Sequence, residues 1–215
     1  MSKKELERRY FKADLETREE NGIGFIEGRP IVYNSQTDLG YFDEIIESGA
    51  LNGANLNDVR LCLNHDTSYV YARSRRNNPN STMRLNPDEL GMTISAGLNI
   101  QSSPKAQDYY SAVQRRDITG MSFMFSVADE EWERLDTEHP LRRIKKIDSV
   151  VEVSAVTFPA YEATDIQARS KEALENARSA VEIARQQQAE TVDTDKNTLA
   201  LLKEQTKTII LTGGF

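Results

Sequence analysis

Between Gly22 and Phe158 the apolar residues come in short segments broken by turn signals, and this alternation is what most constrains the fold. It predicts a mainly β domain with a few helices. Gly24-Phe25-Ile26-Glu27-Gly28 and Ile31-Val32-Tyr33 suit opening strands separated by a Gly-Arg-Pro break, and Phe42 to Leu51 a short helical or turn region. Val59 to His65 alternates with period two, which puts His65 at a strand end. Met83-Arg84-Leu85 and Gly91 to Ala96 suit two strands joined by a turn at Asn86-Pro87-Asp88-Glu89. Pro104 to Arg116 predicts a helix with Ala106, Tyr109, Tyr110 and Val113 on one face. Three further strands are expected at Gly120 to Val127, Leu141 to Ile147 and Val150 to Phe158, the last an inner strand because it is apolar and β-branched.

After Pro159-Ala160 the composition changes. Ala168 to Ala189 is rich in Ala, Glu, Arg and Gln without Gly or Pro, and predicts a helix. Leu174, Ala177, Val181, Ala184 and Gln188 follow 3-4 spacing, which suits either a short coiled coil or a helix docked on its own domain. Glu190 to Asn197 is polar and expected to be flexible, and Leu199 to Phe215 suits a short helix and a loose end. The resulting division is an N-terminal segment (1–21), a β domain (22–168) and a helical or flexible extension (169–215).

Composition narrows the chemistry. A net charge of -7 over 215 residues argues against a protein built to hold nucleic acid. No apolar run approaches the roughly 20 residues of a membrane span, and the start Met1-Ser2-Lys3-Lys4-Glu5 runs on into charged residues, without a signal-peptide pattern. The single cysteine, Cys62, excludes an internal disulfide and suits a reducing cytoplasm. With one cysteine and two histidines a structural zinc site is not expected, and any histidine chemistry must use His65 or His139.

Ser122 lies in Gly120-Met121-Ser122-Phe123-Met124-Phe125-Ser126, on the strand face opposite Met121, Phe123, Phe125 and Val127. The segment lacks the second glycine and following helix of a nucleophile elbow, and most strand serines are structural. His65, beside Asn64 and Asp66, suits a general base or an ordinary polar surface histidine. His139, before Pro140, looks like a loop residue. Glu152 interrupts the apolar run from Val150, where a carboxylate is costly unless paired. Spacing leaves open whether it orients an imidazole, points outward, or pairs with Arg142, Arg143 or Lys145.

In order along the chain, Asn64-His65-Asp66, Asp88-Glu89-Leu90-Gly91-Met92, Gly120 to Phe125 and Glu152-Val153-Ser154-Ala155-Val156-Thr157-Phe158-Pro159-Ala160 resemble the HK97-type prohead protease family of tailed bacteriophages, over roughly Gly22 to Ala168. The family looks related to herpesvirus assemblins, so the resemblance implies a closed antiparallel β-barrel surrounded by helices. It makes Ser122 the nucleophile and His65 the base of a serine endopeptidase. Assemblins use a second histidine as the third member, and the segment that looks equivalent here offers Glu152. Asp66, which should project to the opposite face from His65, and His139 are the alternatives. Where the family often has Leu-Gly-Arg after the His-Asp pair, this chain has Val70-Tyr71-Ala72-Arg73.

The resemblance further implies no cofactor or metal. The expected substrates are the major capsid protein with its scaffold region, and the protease itself, inside the immature capsid in the host cytoplasm. A homo-oligomer stays open; a membrane or specific nucleic-acid partner is not expected. The competing reading is a non-catalytic capsid-assembly scaffolding protein that keeps the barrel.

Overall fold

The computed structural model describes residues 5–157 and 170–183. The chain divides into two compact units, Met1–Lys171 and Glu172–Phe215. In the second, described residues are helical to 183, inside the helix expected at Ala168 to Ala189. The rest of that expectation (168–169 and 184–189), the polar stretch 190–197, the terminal segment 199–215 and the Phe158 end of the last strand lie outside the described residues.

The first unit is mainly β. One sheet runs β1 (Glu7–Lys12), β10 (Gly120–Glu133), β11 (Leu141–Val156), β5 (Asp43–Ile46), β4 (Thr37–Asp38). On the β5 side of β11, farther along, β6 (Val59–Leu63) pairs in parallel and carries β7 (Ala72–Ser74). A second sheet runs β2 (Glu16–Glu20), β3 (Ile23–Val32), β9 (Gly91–Leu98), β8 (Met83–Asp88). Both sheets contribute to one apolar core with Ile26, Met92, Leu61, Phe123 and Phe125 inside. Among the described residues the strands pair as two sheets, and neither sheet closes on itself.

The helix α1 (Pro104–Gln114) forms where expected. Ser103 caps it by accepting from the Ala106 N–H, Pro104 supplies a preset φ at the first turn, and Ala106, Tyr109, Tyr110 and Val113 are its buried residues.

Three sequence breaks prove to be irregularities within strands. The Gly28-Arg29-Pro30 break is a register shift inside β3. Asp148-Ser149 does not divide two strands: β11 runs on through it, opposite repeated register shifts in β10, with Ser126 Oγ hydrogen-bonded to Ser149 Oγ (2.9 Å) and donating to Asp148 Oδ2 (3.2 Å). A bulge absorbs the extra residues and lets pairing resume. Asn86 and Pro87 belong to β8, an edge strand where proline is tolerated. The hairpin instead turns at Glu89 and Leu90. There Asp88 Oδ1 accepts from the Leu90 N–H (2.8 Å), and Gly91 (φ 139°) leaves only 2.0 Å between an added Cβ and the Ile31 carbonyl oxygen. Only glycine fits there.

Residues 7–12 and 16–20, inside the N-terminal segment 1–21, form β1 against β10 and β2 against β3.

Candidate active site

β10 and β11 place Ser122 directly opposite Ser154. Cross-strand neighbours share a face, and residues two apart on one strand do too, so Ser122, Ser154 and Glu152 point the same way. The alternate residues Met121, Phe123, Val153 and Ala155 are wholly buried in the core.

β6 delivers the base to that face. It pairs with β11 up to Leu63 opposite Ala155, and the chain then turns through Asn64 (φ 49°) and His65 (φ 57°), both left-handed. That conformation is uncommon for residues other than glycine and needs local support. Asn64 N–H donates to the Ala155 carbonyl (3.1 Å), while Asn64 Oδ1 accepts from Thr157 N–H (2.9 Å) and Oγ1 (3.2 Å). His65 N–H donates to Ser154 Oγ (3.0 Å). Tyr109 of α1 reinforces the same junction, donating to the Cys62 carbonyl (3.3 Å) and accepting from Ala155 N–H (3.3 Å). Tyr71, within the departure at Val70 to Arg73, packs its ring on Tyr109 with centroids 4.7 Å apart.

The side chains meet in a line. His65 Nε2 lies 2.6 Å from Ser122 Oγ, and His65 Nδ1 lies 2.5 Å from Glu152 Oε2. A carboxylate only accepts, so Nδ1 carries the proton, and the Nε2 lone pair is left to accept the Ser122 O–H. Glu152 Oε1 accepts a short hydrogen bond from Ser154 Oγ. Arg142, Arg143 and Lys145 bond elsewhere: Arg142 to Glu7, Glu44 and Glu130, Arg143 to Glu133 and Glu47, Lys145 to Glu131.

Ser122 has no exposed surface and His65 is 7% exposed, so the site is closed in this arrangement. Tyr10 of β1 lies opposite Ser122 on the other side of β10, its ring edge-on to His65 with centroids 6.0 Å apart. Cys62 is no rival nucleophile. Burial, and then the charge of Glu152, push its thiol up to about 12, so it stays protonated near neutral pH.

The other candidates lie apart from this line. Asp66 Oδ1 accepts from Ser68 N–H (2.9 Å) on an exposed turn. His139 Nε2 lies 3.2 Å from Asp43 and 3.7 Å from Asp38. These three residues could ligate a metal by spacing, and they lie at the opposite end of β11 from Glu152.

Sequence reasoning passed over Ser154 as a participant, although its position two residues after Glu152 was the available signal: it shares the Glu152 face. The left-handed turn at His65 had no comparable signal.

The family model described as caudovirus prohead serine protease matches residues 11–179. Over 159 residues the chain is 31% identical to the prohead protease of Enterobacteria phage HK97, an alignment covering 72% of this chain and 64% of that relative. The chain therefore spans less than two thirds of the relative's length. No solved structure matches it.

Proposed function

The chain belongs to the caudovirus prohead serine protease family, and from that premise we propose that it is a serine endopeptidase of capsid maturation, with Ser122 as nucleophile, His65 as general base and acid, and Glu152 as the carboxylate that orients and stabilises the imidazole. The observation that carries this reading is the continuous hydrogen-bonded line from Ser122 Oγ through His65 to Glu152. Its substrates are the major capsid protein with its scaffold region, any separate scaffold, and the protease itself, inside the immature capsid. The closed barrel of the related assemblins belongs to the same reading, supported by the packing of β3 against β10 and of β7 against β8 where the two sheets meet.

Once a neighbouring segment moves to admit the peptide, Ser122 Oγ attacks the scissile carbonyl as its proton passes to His65 Nε2. The imidazolium keeps its Nδ1–H on Glu152, whose negative charge offsets the new positive one. The tetrahedral intermediate collapses as the C–N bond breaks, and His65 returns the proton to the leaving amine. Water then repeats the sequence: His65 takes its proton, hydroxide adds to the acyl carbonyl, and Ser122 leaves with the proton restored. Neither step calls for a metal or cofactor.

Incubating the purified chain with its capsid protein and measuring intact masses tests this. The wild type should trim itself or the capsid protein, and Ser122→Ala should trim neither while keeping its thermal midpoint. Equal trimming by Ser122→Ala would overturn the nucleophile assignment.

A further inference from the structure

Ser154 is fully buried and touches both partners of the imidazole–carboxylate bond. Its Oγ accepts the backbone N–H of His65 at 3.0 Å and donates to Glu152 Oε1. We propose that Ser154 is a positioning residue for the catalytic pair, a single hydroxyl that aligns His65 and Glu152 with each other. The proposal rests on the catalytic reading of Ser122, His65 and Glu152.

Consider the carboxylate first. The terminal torsion of a glutamate is broad, so a carboxylate held through one oxygen can swing. The Ser154 hydroxyl on Oε1 removes that freedom and keeps Oε2 on Nδ1. His65 has a second problem, because its φ of 57° is left-handed backbone, which is strained for a residue other than glycine and persists only when its surroundings over-determine it. The N–H bond to Ser154 is part of that support. A hydroxyl has one proton to give and two lone pairs to accept with. Here the proton goes to the carboxylate and a lone pair to the backbone, so neither role competes with the other.

Serine also fits the place. Ser154 lies across from Ser122 on one side and beside Cys62 on the other, all three with no exposed surface. Alanine would nearly fill the space but remove the hydroxyl that the His65 N–H and Glu152 Oε1 share. Ser154 makes no hydrogen bond to Ser122 Oγ among the described residues, which is why its effect must pass through the pair.

Two readouts separate positioning from a merely structural role. A short imidazole–carboxylate hydrogen bond gives a far-downfield proton resonance, observable here in the full chain with Ser122→Ala as background to stop self-cleavage. Adding Ser154→Ala should move that resonance upfield and broaden it, whereas Ser154→Thr, which keeps a hydroxyl, should preserve it. In chains with Ser122 intact, self-trimming per folded molecule should fall on the order of 100-fold in Ser154→Ala and recover most of the way in Ser154→Thr. An unchanged resonance with a wild-type trimming rate in folded Ser154→Ala would overturn the proposal. So would equal losses in both variants with equally lowered thermal midpoints, which would make Ser154 a packing residue. If the wild-type chain trims nothing, the catalytic reading itself fails, while the resonance still reports whether Ser154 aligns the pair.

Discussion

Near its Leu141 end, β11 carries Arg142 into a cluster with Arg9, Glu7, Glu44 and Glu130; near its other end it carries Glu152 and Ser154 toward His65 and Ser122. Both groups are polar and largely buried, yet they are built differently. In the first, fixed charges meet fixed charges. Arg9 bonds both oxygens of Glu44 (2.5 and 2.6 Å), and Arg142 bonds both oxygens of Glu7 (2.6 and 2.9 Å). Burial alone would disfavour the Arg142 charge, but the Glu7 hydrogen bonds and the surrounding carboxylates hold its pKa above the ordinary value. Glu7, Arg9 and Arg142 are each held in the charged form. In the second, the carboxylate meets an imidazole and a hydroxyl, groups that can pass or share a proton. The first group therefore ties β1, β5, β10 and β11 together, and the second is suited to move charge.

The largest effect expected from that contrast is on catalysis. Glu152→Gln keeps the shape but loses the charge that stabilises the imidazolium, and processing per folded molecule should slow about 10³–10⁴-fold, with the denaturation midpoint little changed. Comparing turnover with the folded fraction from the same preparation checks this. A loss of stability with turnover intact would move Glu152 into the class of the arginine cluster.

The converse substitution is Arg142→Met. Removing Arg142 takes both of its bonds from Glu7 and one from Glu44, leaving the two carboxylates to Arg9 alone, and breaking a buried pair typically costs about 3–5 kcal/mol. Urea unfolding should show that loss, while turnover of the molecules that remain folded stays near the wild type. A selective loss of turnover would couple the two clusters and break the division between them.

A smaller effect is expected from acid. Burial would raise the Glu7 carboxyl, but its Arg142 hydrogen bond and the charges of Arg9 and Arg142 outweigh burial and lower it from 4.5 to about 2. A carboxyl depressed on folding contributes stability that is fully present above about 4.5 and is lost as pH falls through about 2. Urea midpoints measured across that window should decline, and Arg142→Met should decline less steeply.

The same comparison shows what the sequence could reveal. α1 was legible because its cap, its proline and its 3-4 apolar spacing are all local. Glu152 stands out in the sequence as a carboxylate in an apolar run, but its spacing leaves open whether it faces solvent, a nearby cation or an imidazole, and only the resemblance sets it beside His65. Arg142, Arg143 and Lys145 lie close in sequence, and only the register of β10 and β11 and the parallel pairing of β6 with β11 show which residues meet. β1 was hidden for a related reason: its buried residue is Arg9, so an inward position that would ordinarily be apolar carries a charge satisfied by distant Glu44. The bulge at Asp148-Ser149 reads in the sequence as a gap between two strands, because a polar pair inside a strand and a polar pair between strands have the same composition.

The central claim is that His65 and Glu152 activate Ser122. Reaction with an alkyl fluorophosphonate tests it most directly, since Ser122 Oγ displaces fluoride from phosphorus as His65 takes the proton, and the adduct can be mapped by mass spectrometry. A single adduct on Ser122 in the wild type, nearly lost in His65→Ala and strongly slowed in Glu152→Gln, is the predicted result. An adduct on another residue, or labelling of Ser122 at the same rate without His65, would contradict it.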